Sequence, residues 1–124
     1  MARIRVGFAQ TTRHMVGMLP TPKFTDQERT QIAKDRDTGE SLYTVTVFVM
    51  EDERAEAIKV TVPKSGLPDG LNVGMFVRPV DLFATPWARV FNGQIQDGIA
   101  YRASALELLG SPVPVSGGAP DDLA

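Results

Sequence analysis

The chain contains no cysteine and only one histidine among its 124 residues. Without cysteine, disulfide bonds, zinc–thiolate sites and thiol nucleophiles are excluded, and the absence fits a reducing compartment. His14 is the single histidine, and the sequence shows no His or carboxylate cluster at metal-ligand spacing beside it. The glycine-rich stretches are not followed by the Lys-Ser or Lys-Thr of a phosphate-binding loop. We therefore expect no metal, no cofactor and no enzymatic activity.

Long apolar runs are also missing from the sequence. No stretch approaches the roughly 18 to 20 residues that span a membrane, and Arg3 and Arg5 are not followed by the apolar core of a signal peptide. We expect a soluble, cytoplasmic protein without membrane contact. Thirteen basic residues against fifteen acidic residues give a net charge of -2, which argues against nucleic-acid binding by bulk charge. An anionic partner would have to be bound by a local patch.

Two alternating segments, residues 42–50 and 56–62, are the clearest pattern that is present. Alternation with period two predicts strands with one buried face. The opposite faces mix Thr, Lys and Phe, which is typical both of a solvated sheet and of a surface that stacks bases and contacts phosphates. The apolar faces carry Tyr43, Val45, Val47 and Val49 in the first strand and Ile58, Val60 and Val62 in the second.

The N-terminal part of the chain gives weaker signals. Residues 2–9 alternate and predict a short edge strand, whereas the two prolines within residues 10–24 predict an irregular excursion. Thr25-Asp-Gln-Glu28 has the form of a capping box and predicts a helix running toward Lys34. The alternative is a hairpin in which residues 30–34 pair with the strand that follows Gly39, and we favour it because the intervening turn is polar.

The C-terminal part predicts a long hairpin. Turn residues fill 63–70, and a strand then runs from Val73 past Pro79, with a bulge or an edge at the proline, toward Val90. Asn92-Gly93 is the strongest hairpin turn in the sequence. Asp97-Gly98 is a second possible reversal, so residues 91–98 are expected to form the tip and residues 99–108 the return strand.

Counting these elements gives about five core strands, a long final hairpin and little helix. This is the strand inventory of an all-β fold of the five-stranded, OB-fold-like Greek-key barrel type. We assign residues 1–109 to one domain, of which residues 1–29 are the N-terminal strand and the excursion. Residues 110–124 are rich in Gly, Pro and Ser, end on an acidic segment, and are expected to be a flexible tail.

The chain resembles a known family over roughly residues 30–108. In order, it carries Asp-x-x-Thr-Gly-Glu, Leu-Tyr-x-Val-x-Val, Ile-x-Val-x-Val-Pro, Gly-x-x-Val-x-Pro, Pro-Trp and Tyr-Arg-Ala. This pattern is similar to that of the OB-fold single-stranded-DNA-binding proteins of filamentous phages, plasmids and integrative elements. The resemblance implies cooperative, largely sequence-independent coating of single-stranded DNA by a homo-oligomer, a dimer or a tetramer.

The tail adds a second resemblance. Its end, with Asp121 and Asp122, is similar to the acidic tail of bacterial single-strand binders, although the usual terminal aromatic residue is missing. The resemblance implies a possible protein partner that contacts these two acids. Because this aromatic residue is missing, the resemblance does not extend to recruitment of the standard partners.

Single-strand binding needs aromatic rings beside cations on one surface, because bases stack on the rings and cations neutralise phosphates. The candidate residues for contact with single-stranded DNA are Phe48, Lys59, Phe76, Arg78, Trp87, Arg89 and Arg102. Each has an ordinary explanation in packing or in a solvated strand face. A second hypothesis therefore stays open, in which the chain is a structural or adaptor subunit whose aromatic face is a protein–protein interface.

Overall fold

The computed structural model describes residues 3–26 and 28–110. This part is all-β, which confirms the predicted class, and its only helical element is the single 3-10 turn Lys64–Gly66. The predicted tail beyond Gly110 and the expected partner contact through Asp121 and Asp122 lie outside the described residues. No helix in the described part of the chain is long and apolar enough to cross a membrane.

The described strands form one mixed sheet of eight strands in the order β1-β6-β7-β4-β3-β2-β5-β8. The predicted closed barrel of five strands is wrong, because the sheet is open, with β1 and β8 at its edges. The strands are β1 (Ile4–Arg5), β2 (Arg13–Pro22), β3 (Leu42–Glu51), β4 (Arg54–Pro63), β5 (Phe76–Val80), β6 (Phe83–Phe91), β7 (Gln94–Arg102) and β8 (Ala105–Gly110).

One face of this sheet encloses the core. The alternation predicted for β3 and β4 holds: Val45, Val47, Val60 and Val62 are fully buried on the inward face. Burying each such side chain contributes roughly 1.5 to 3 kcal/mol, so these strands hold much of the stability. The remaining members of the core cluster are Val16, Val77, Leu82, Ala103 and Leu106.

Residues 10–24 are not an irregular excursion, because β2 pairs with β3 along its whole length. The register shifts by one residue between Val16 and Met18 and again between Met18 and Thr21. A bulge leaves one residue outside the hydrogen-bonded ladder, so a proline without an N–H group fits there. The second bulge therefore accommodates Pro20, while Pro22 pairs with Tyr43 as the last residue of the strand.

The hairpin interpretation of residues 30–39 is closer to the structure than the helix. Asp35 opens the turn by accepting hydrogen bonds from the backbone N–H groups of Asp37 and Thr38, and Gly39 has a positive φ of 77°. Residues 30–34 do not form a continuous strand, however. They contribute two isolated bridges, Phe24 with Ile32 and Lys34 with Ser41.

The strand predicted to continue past Pro79 is broken. Asp81 has a φ of 51°, which ends β5 and lets β6 begin in a new direction. The predicted turn at Asn92-Gly93 is confirmed, with φ values of 53° and 76°. The second reversal at Asp97-Gly98 is wrong, because both residues lie inside β7.

The predicted return strand also divides into two. β7 pairs in parallel with β4 only through Tyr101 and Arg102, and the chain then crosses at Ala103 and Ser104. β8 continues at the opposite end of the sheet, beside β5. Residues 94–110, predicted largely as one strand, thus form two strands at separate places in the sheet. The predicted number of five strands was therefore too low.

The hairpin of β6 and β7 extends beyond the rest of the sheet. β1 pairs with β6 only at Phe83 and Ala84, and β4 pairs with β7 only at Tyr101 and Arg102. Residues 85–100 therefore form a two-stranded segment in which each strand has only the other as its sheet neighbour among the described strands. We call residues 85–100 the arm. Both of its faces are open to solvent.

Candidate nucleic-acid interface

A row of paired residues crosses the outward face of the sheet at the base of the arm. Arg5 pairs with Phe83, Phe83 pairs with Arg102, and Arg102 pairs with Thr61. Side chains of directly paired residues lie on the same face. The fold thus places an aromatic ring between two arginines that are 97 positions apart in the sequence.

Phe83 is covered by cations on this face. The guanidinium carbon of Arg3 lies 4.3 Å from the centroid of the Phe83 ring, and that of Arg5 lies 5.2 Å from it. Both distances are within the range of cation–π attraction. Arg5 also approaches Asp81 at 3.4 Å, but both side chains are more than half exposed, so this ion pair holds the arginine weakly.

Trp87 lies on the same face, farther along the arm. It pairs with Gly98, and a Cβ atom at Gly98 would come within 2.8 Å of the indole ring. The glycine thus lets the indole lie against the backbone of β7, while 37% of the tryptophan stays exposed. The guanidinium carbon of Arg89 is 5.6 Å from the ring. One side of the indole is supported and the rest is available to a ligand.

These side chains form what we call the cationic–aromatic face, which consists of Arg3, Arg5, Phe83, Trp87, Arg89 and Arg102. A groove of about 830 Å³ lies at its base, and the loop of residues 34–40 forms the opposite wall. The lining of the groove includes five cations and four acids, so its net charge is small. Attraction at long range is therefore modest, and affinity depends on close stacking and ion pairing.

Arg102 is held in place at the edge of this groove. Its guanidinium forms an ion pair with Asp35, whose side chain is only 11% exposed. The backbone N–H groups of Asp37 and Thr38, followed by Arg102, lower the pKa of the Asp35 carboxyl below its usual range. The carboxylate therefore stays charged at neutral pH and orients the arginine.

Lys23 adds a second cation near Arg102. Its Nζ donates a hydrogen bond to Oγ1 of Thr61 at 3.1 Å. Partial burial lowers the pKa of Lys23 from its ordinary value, and the charge of Arg102 lowers it further. A phosphate placed near these two cations would relieve their mutual repulsion.

The other predicted residues lie elsewhere on the outward face. Phe48 and Phe76 flank Met15 in one row across β3, β2 and β5. Arg78 pairs with Glu107 on β8 and donates two hydrogen bonds to its Oε1, at 2.8 and 2.5 Å. Lys59 is exposed on β4, two residues from Thr61.

The seven candidates therefore do not line one groove. Trp87, Arg89 and Arg102 are brought together with three residues that the sequence did not single out, Arg3, Arg5 and Phe83. The alternation Arg3-Ile-Arg5 was visible, since it gives two cations on one face of an edge strand. The pairing of this strand with β6 could not be predicted from the sequence, because it joins segments about 80 positions apart.

His14 occupies the inward face of β2 rather than an irregular segment. It is 5% exposed, its ring contacts Phe8 edge-on at 4.3 Å between centroids, and its Nε2 has no hydrogen-bond partner within the described residues. Burial lowers the pKa of His14, an effect that the charge of Glu51 partly opposes. Across residues 3–26 and 28–110, no three His, Cys, Asp or Glu side chains are grouped as metal ligands would be.

Comparison of this chain with protein-family models, with curated proteins and with solved structures finds no match. The case for a function therefore depends on the site and on the resemblance described above.

Proposed function

We propose that this chain binds single-stranded DNA, largely without sequence specificity, during the replication or transfer of a phage or plasmid. The observation that carries the proposal is the pair of aromatic platforms, Phe83 and Trp87, that share one face with four arginines. Every base has a π-face, so stacking on such rings is tolerant of sequence. The preference for DNA comes from the family resemblance alone.

The spacing of the two rings supports this proposal. Phe83 and Trp87 are four residues apart on β6, and a strand rises about 3.3 Å per residue, so the rings are separated by roughly 13 Å. An extended single strand would bring two bases to two such platforms and leave phosphates between them. Arg102, beside Phe83, and Arg89, beyond Trp87, are the cations that we expect to contact the phosphates flanking the two bases.

The small net charge at the base of the face supports single strands over duplex. A duplex is bound mainly through many phosphate contacts, which require a strongly cationic surface. Here stacking on the two rings must supply a large share of the affinity, at roughly 1 to 3 kcal/mol for each base. Paired bases cannot offer their faces to Phe83 or Trp87.

The test is a titration of Trp87 fluorescence with oligo-dT at low and moderate salt, with duplex of equal length as the control. Trp87 is the only tryptophan, so the signal reports on the proposed site. We expect saturable quenching by the single strand that weakens with salt and is absent with duplex. No quenching, together with a blank gel shift, would refute the proposal and favour the hypothesis of a protein interface.

Two matched pairs of variants locate the binding surface. Phe83→Ala should weaken binding by about 1 to 3 kcal/mol, whereas Phe48→Ala should not. Arg89→Ala should reduce the dependence of log K on log salt by about 0.7, the value for one phosphate contact with a single strand. Arg78→Ala, which removes an arginine already paired with Glu107, should leave that slope unchanged. The reverse pattern would move the site to the face of β5.

A further inference from the structure

A second row of paired residues crosses the outward face of the sheet, away from the arm, and it begins where β8 ends. Gly110 pairs with Phe76, Phe76 pairs with Met15, and Met15 pairs with Phe48. Directly paired residues have their side chains on the same face, so two phenylalanine rings flank a methionine side chain. We call Phe76, Met15 and Phe48 the outer row.

The apolar surface around the outer row is open to solvent. Phe48 is 36% exposed, and Met18, on the same face of β2, is 58% exposed. A Cβ atom at Gly17 would come within 2.7 Å of the Phe48 ring, so one side of this ring lies against the backbone of β2. At the other end of the row, a register shift leaves Leu109 without a partner in β5 and 58% exposed. Exposed apolar surface of this kind marks a contact site.

The chain leaves the sheet at one end of the outer row. β5 begins at Phe76, and residues 72–75 form a turn in which the N–H of Met75 donates a hydrogen bond to the carbonyl oxygen of Asn72 at 3.2 Å. Residues beyond Gly110 therefore meet no further strand residue of β5. Gly110 has a φ of 104°, a conformation that favours glycine and lets the chain turn away from the direction of β8. The next residues thus start beside the Phe76 ring.

The sequence that follows Gly110 suits an apolar, aromatic surface. It reads Ser111-Pro-Val-Pro-Val115 and contains no charged residue. Proline fixes its own φ and confines the residue before it to extended conformations, so the two prolines restrict four consecutive residues. The pattern predicts polyproline II, which loses little entropy on binding and docks on aromatic surfaces.

The dimensions of this segment and of the outer row agree. In polyproline II every third residue faces the same way, so Pro112 and Val115 would share one side, about 9.3 Å apart. Phe76 and Phe48 are separated by two strand spacings, which is roughly 9.6 Å. Two apolar side chains of the segment can therefore meet the two rings at once.

We propose that residues 112–115 dock across the outer row of the same chain, with Pro112 on Phe76 and Val115 on Phe48. Because Ser111 alone links the segment to Gly110, its effective concentration at the row is on the order of millimolar, so even a weak contact is occupied. A separate molecule would have to displace it. The contact uses neither the arm nor the cationic–aromatic face, so it goes beyond the proposed function and does not depend on it.

The test is paramagnetic broadening in NMR spectra of the full chain. Because the chain contains no cysteine, Ser116→Cys supplies a single site for a nitroxide label. We expect the label to broaden the amide signals of Met15 and Phe48. The signals of Asn92 and Gly93, at the tip of the arm, should stay sharp and serve as the internal reference.

Two substitutions within the segment make a matched pair. Val115→Asp places a carboxylate against the Phe48 ring, where it has no hydrogen-bond partner, and should abolish the broadening at Met15 and Phe48. Val113→Asp adds the same charge about 120° around the polyproline II helix and should retain the broadening. Unchanged signals from the arm show that each variant is folded. If either variant fails to fold, a nuclear Overhauser effect between the Val115 methyl groups and the Phe48 ring of the wild type supports the contact, and its absence refutes it.

Three results would overturn the inference. The first is broadening confined to residues next to Gly110, or equal at Phe48 in the two aspartate variants. The second is broadening in a mixture of nitroxide-labelled chain and isotope-labelled chain without nitroxide, which would make a second copy the occupant. The third is a wild type without broadening at Phe48 in which Phe48→Ala weakens binding of oligo-dT, which would assign the row to single-stranded DNA.

The inference and the proposed function fail separately, because no nucleic acid enters the NMR measurement. Broadening at Phe48 without quenching of Trp87 by oligo-dT refutes the function and leaves the docked segment. Quenching of Trp87 without broadening at Phe48 refutes the docked segment and leaves the function.

Discussion

The β3–β4 hairpin and the β6–β7 hairpin have strands of nearly equal length and tight turns, yet they relate to the core in opposite ways. In the first, four valines are fully buried. In the second, no residue of either strand is buried. The first hairpin buries one of its two faces, and Phe48 is exposed on the other. The second hairpin buries neither face, with Phe83 and Trp87 on one and Val90 and Ile95 on the other. A strand pair with two exposed apolar faces has more apolar surface than the described residues of the chain cover, and we expect such a pair to meet other molecules.

The largest expected effect on stability comes from comparing Gly66 with Gly98, each of which is packed closely against another part of the chain. A Cβ atom at Gly66 would lie 2.2 Å from the carbonyl oxygen of Ser104 and 2.8 Å from the Cα of Ala105, both backbone atoms at the crossing into β8. Because the backbone there cannot move without disturbing two strands, Gly66→Ala should lower the free energy of unfolding by about 3 kcal/mol. Urea denaturation measures the loss.

Gly98 in the arm is the matched position. There the added Cβ would meet the Trp87 indole, a side chain that can rotate away. Gly98→Ala should cost less than about 1 kcal/mol of global stability and shift the emission of Trp87 to longer wavelength as the ring becomes more exposed. Equal losses of stability in the two variants would show that the arm is as closely coupled to the core as η1, the 3-10 turn Lys64–Gly66.

A second comparison uses the same substitution in each hairpin. Val60 is fully buried and Val90 is 72% exposed. Val60→Ala removes buried methyl groups and leaves a cavity, so it should lower the free energy of unfolding by about 2 kcal/mol, while Val90→Ala should change it by less than about 0.5 kcal/mol in the monomer. The urea midpoint of each variant, measured at a concentration where the chain is monomeric, provides the check. A large loss at Val90 would mean that the arm is covered within one chain.

The contrast between the hairpins also explains what could be predicted from sequence. The faces of β3 and β4 were assigned correctly, because period-two alternation with one apolar side has a single stable arrangement. The turn at Asn92-Gly93 was equally clear, since it needs positive φ at both positions. Local chemistry was sufficient for both elements.

The pairing of distant segments could not be predicted in this way. The join between β1 and β6, the split of the return strand at Ala103 and the two bulges of β2 depend on contacts between residues far apart in sequence. The same reason explains which residues of the candidate site could be predicted and which could not. Trp87, Arg89 and Arg102 were found within the final hairpin, whereas Arg3, Arg5 and Phe83 became neighbours only through a long-range register.

The third prediction concerns the pH dependence of stability, which we expect to arise from a buried residue of the core and not from the arm. His14 has an ordinary pKa of 6.5, and burial lowers this pKa in the folded chain. Between the two values the unfolded chain binds more protons, so stability is greatest above pH 6.5 and decreases as the pH falls through this window. Urea midpoints at pH 7.5 and pH 5 should therefore differ in the wild type and be nearly equal in His14→Gln.

A separate loss at lower pH comes from carboxyls. The folded-state pKa of Asp35 is below its ordinary 3.8, so the stability that it contributes is present above that value and disappears only as the pH falls below it. As the pH is lowered, the loss of stability caused by His14 therefore begins before the loss caused by Asp35. A wild type whose stability is unchanged between pH 7.5 and pH 5 would contradict the burial of a neutral imidazole.

The smallest expected effect compares the two hairpin turns. Asp52 has a φ of 45° and Asn92 has a φ of 53°, so alanine at either position adopts a left-handed conformation at a cost of roughly 1 kcal/mol. In the β3–β4 hairpin, opening the turn disturbs strands that bury four valines, and Asp52→Ala should lower the urea midpoint. In the arm, Asn92→Ala should instead raise hydrogen exchange of residues 85–100 and leave the midpoint nearly unchanged, because the arm opens without the core.

Asp52→Gly and Asn92→Gly are the controls, since glycine tolerates positive φ and should produce neither effect. If Asn92→Ala lowers the midpoint as much as Asp52→Ala, the arm unfolds together with the core, and the division between a hairpin that stabilises the fold and a hairpin that meets partners fails.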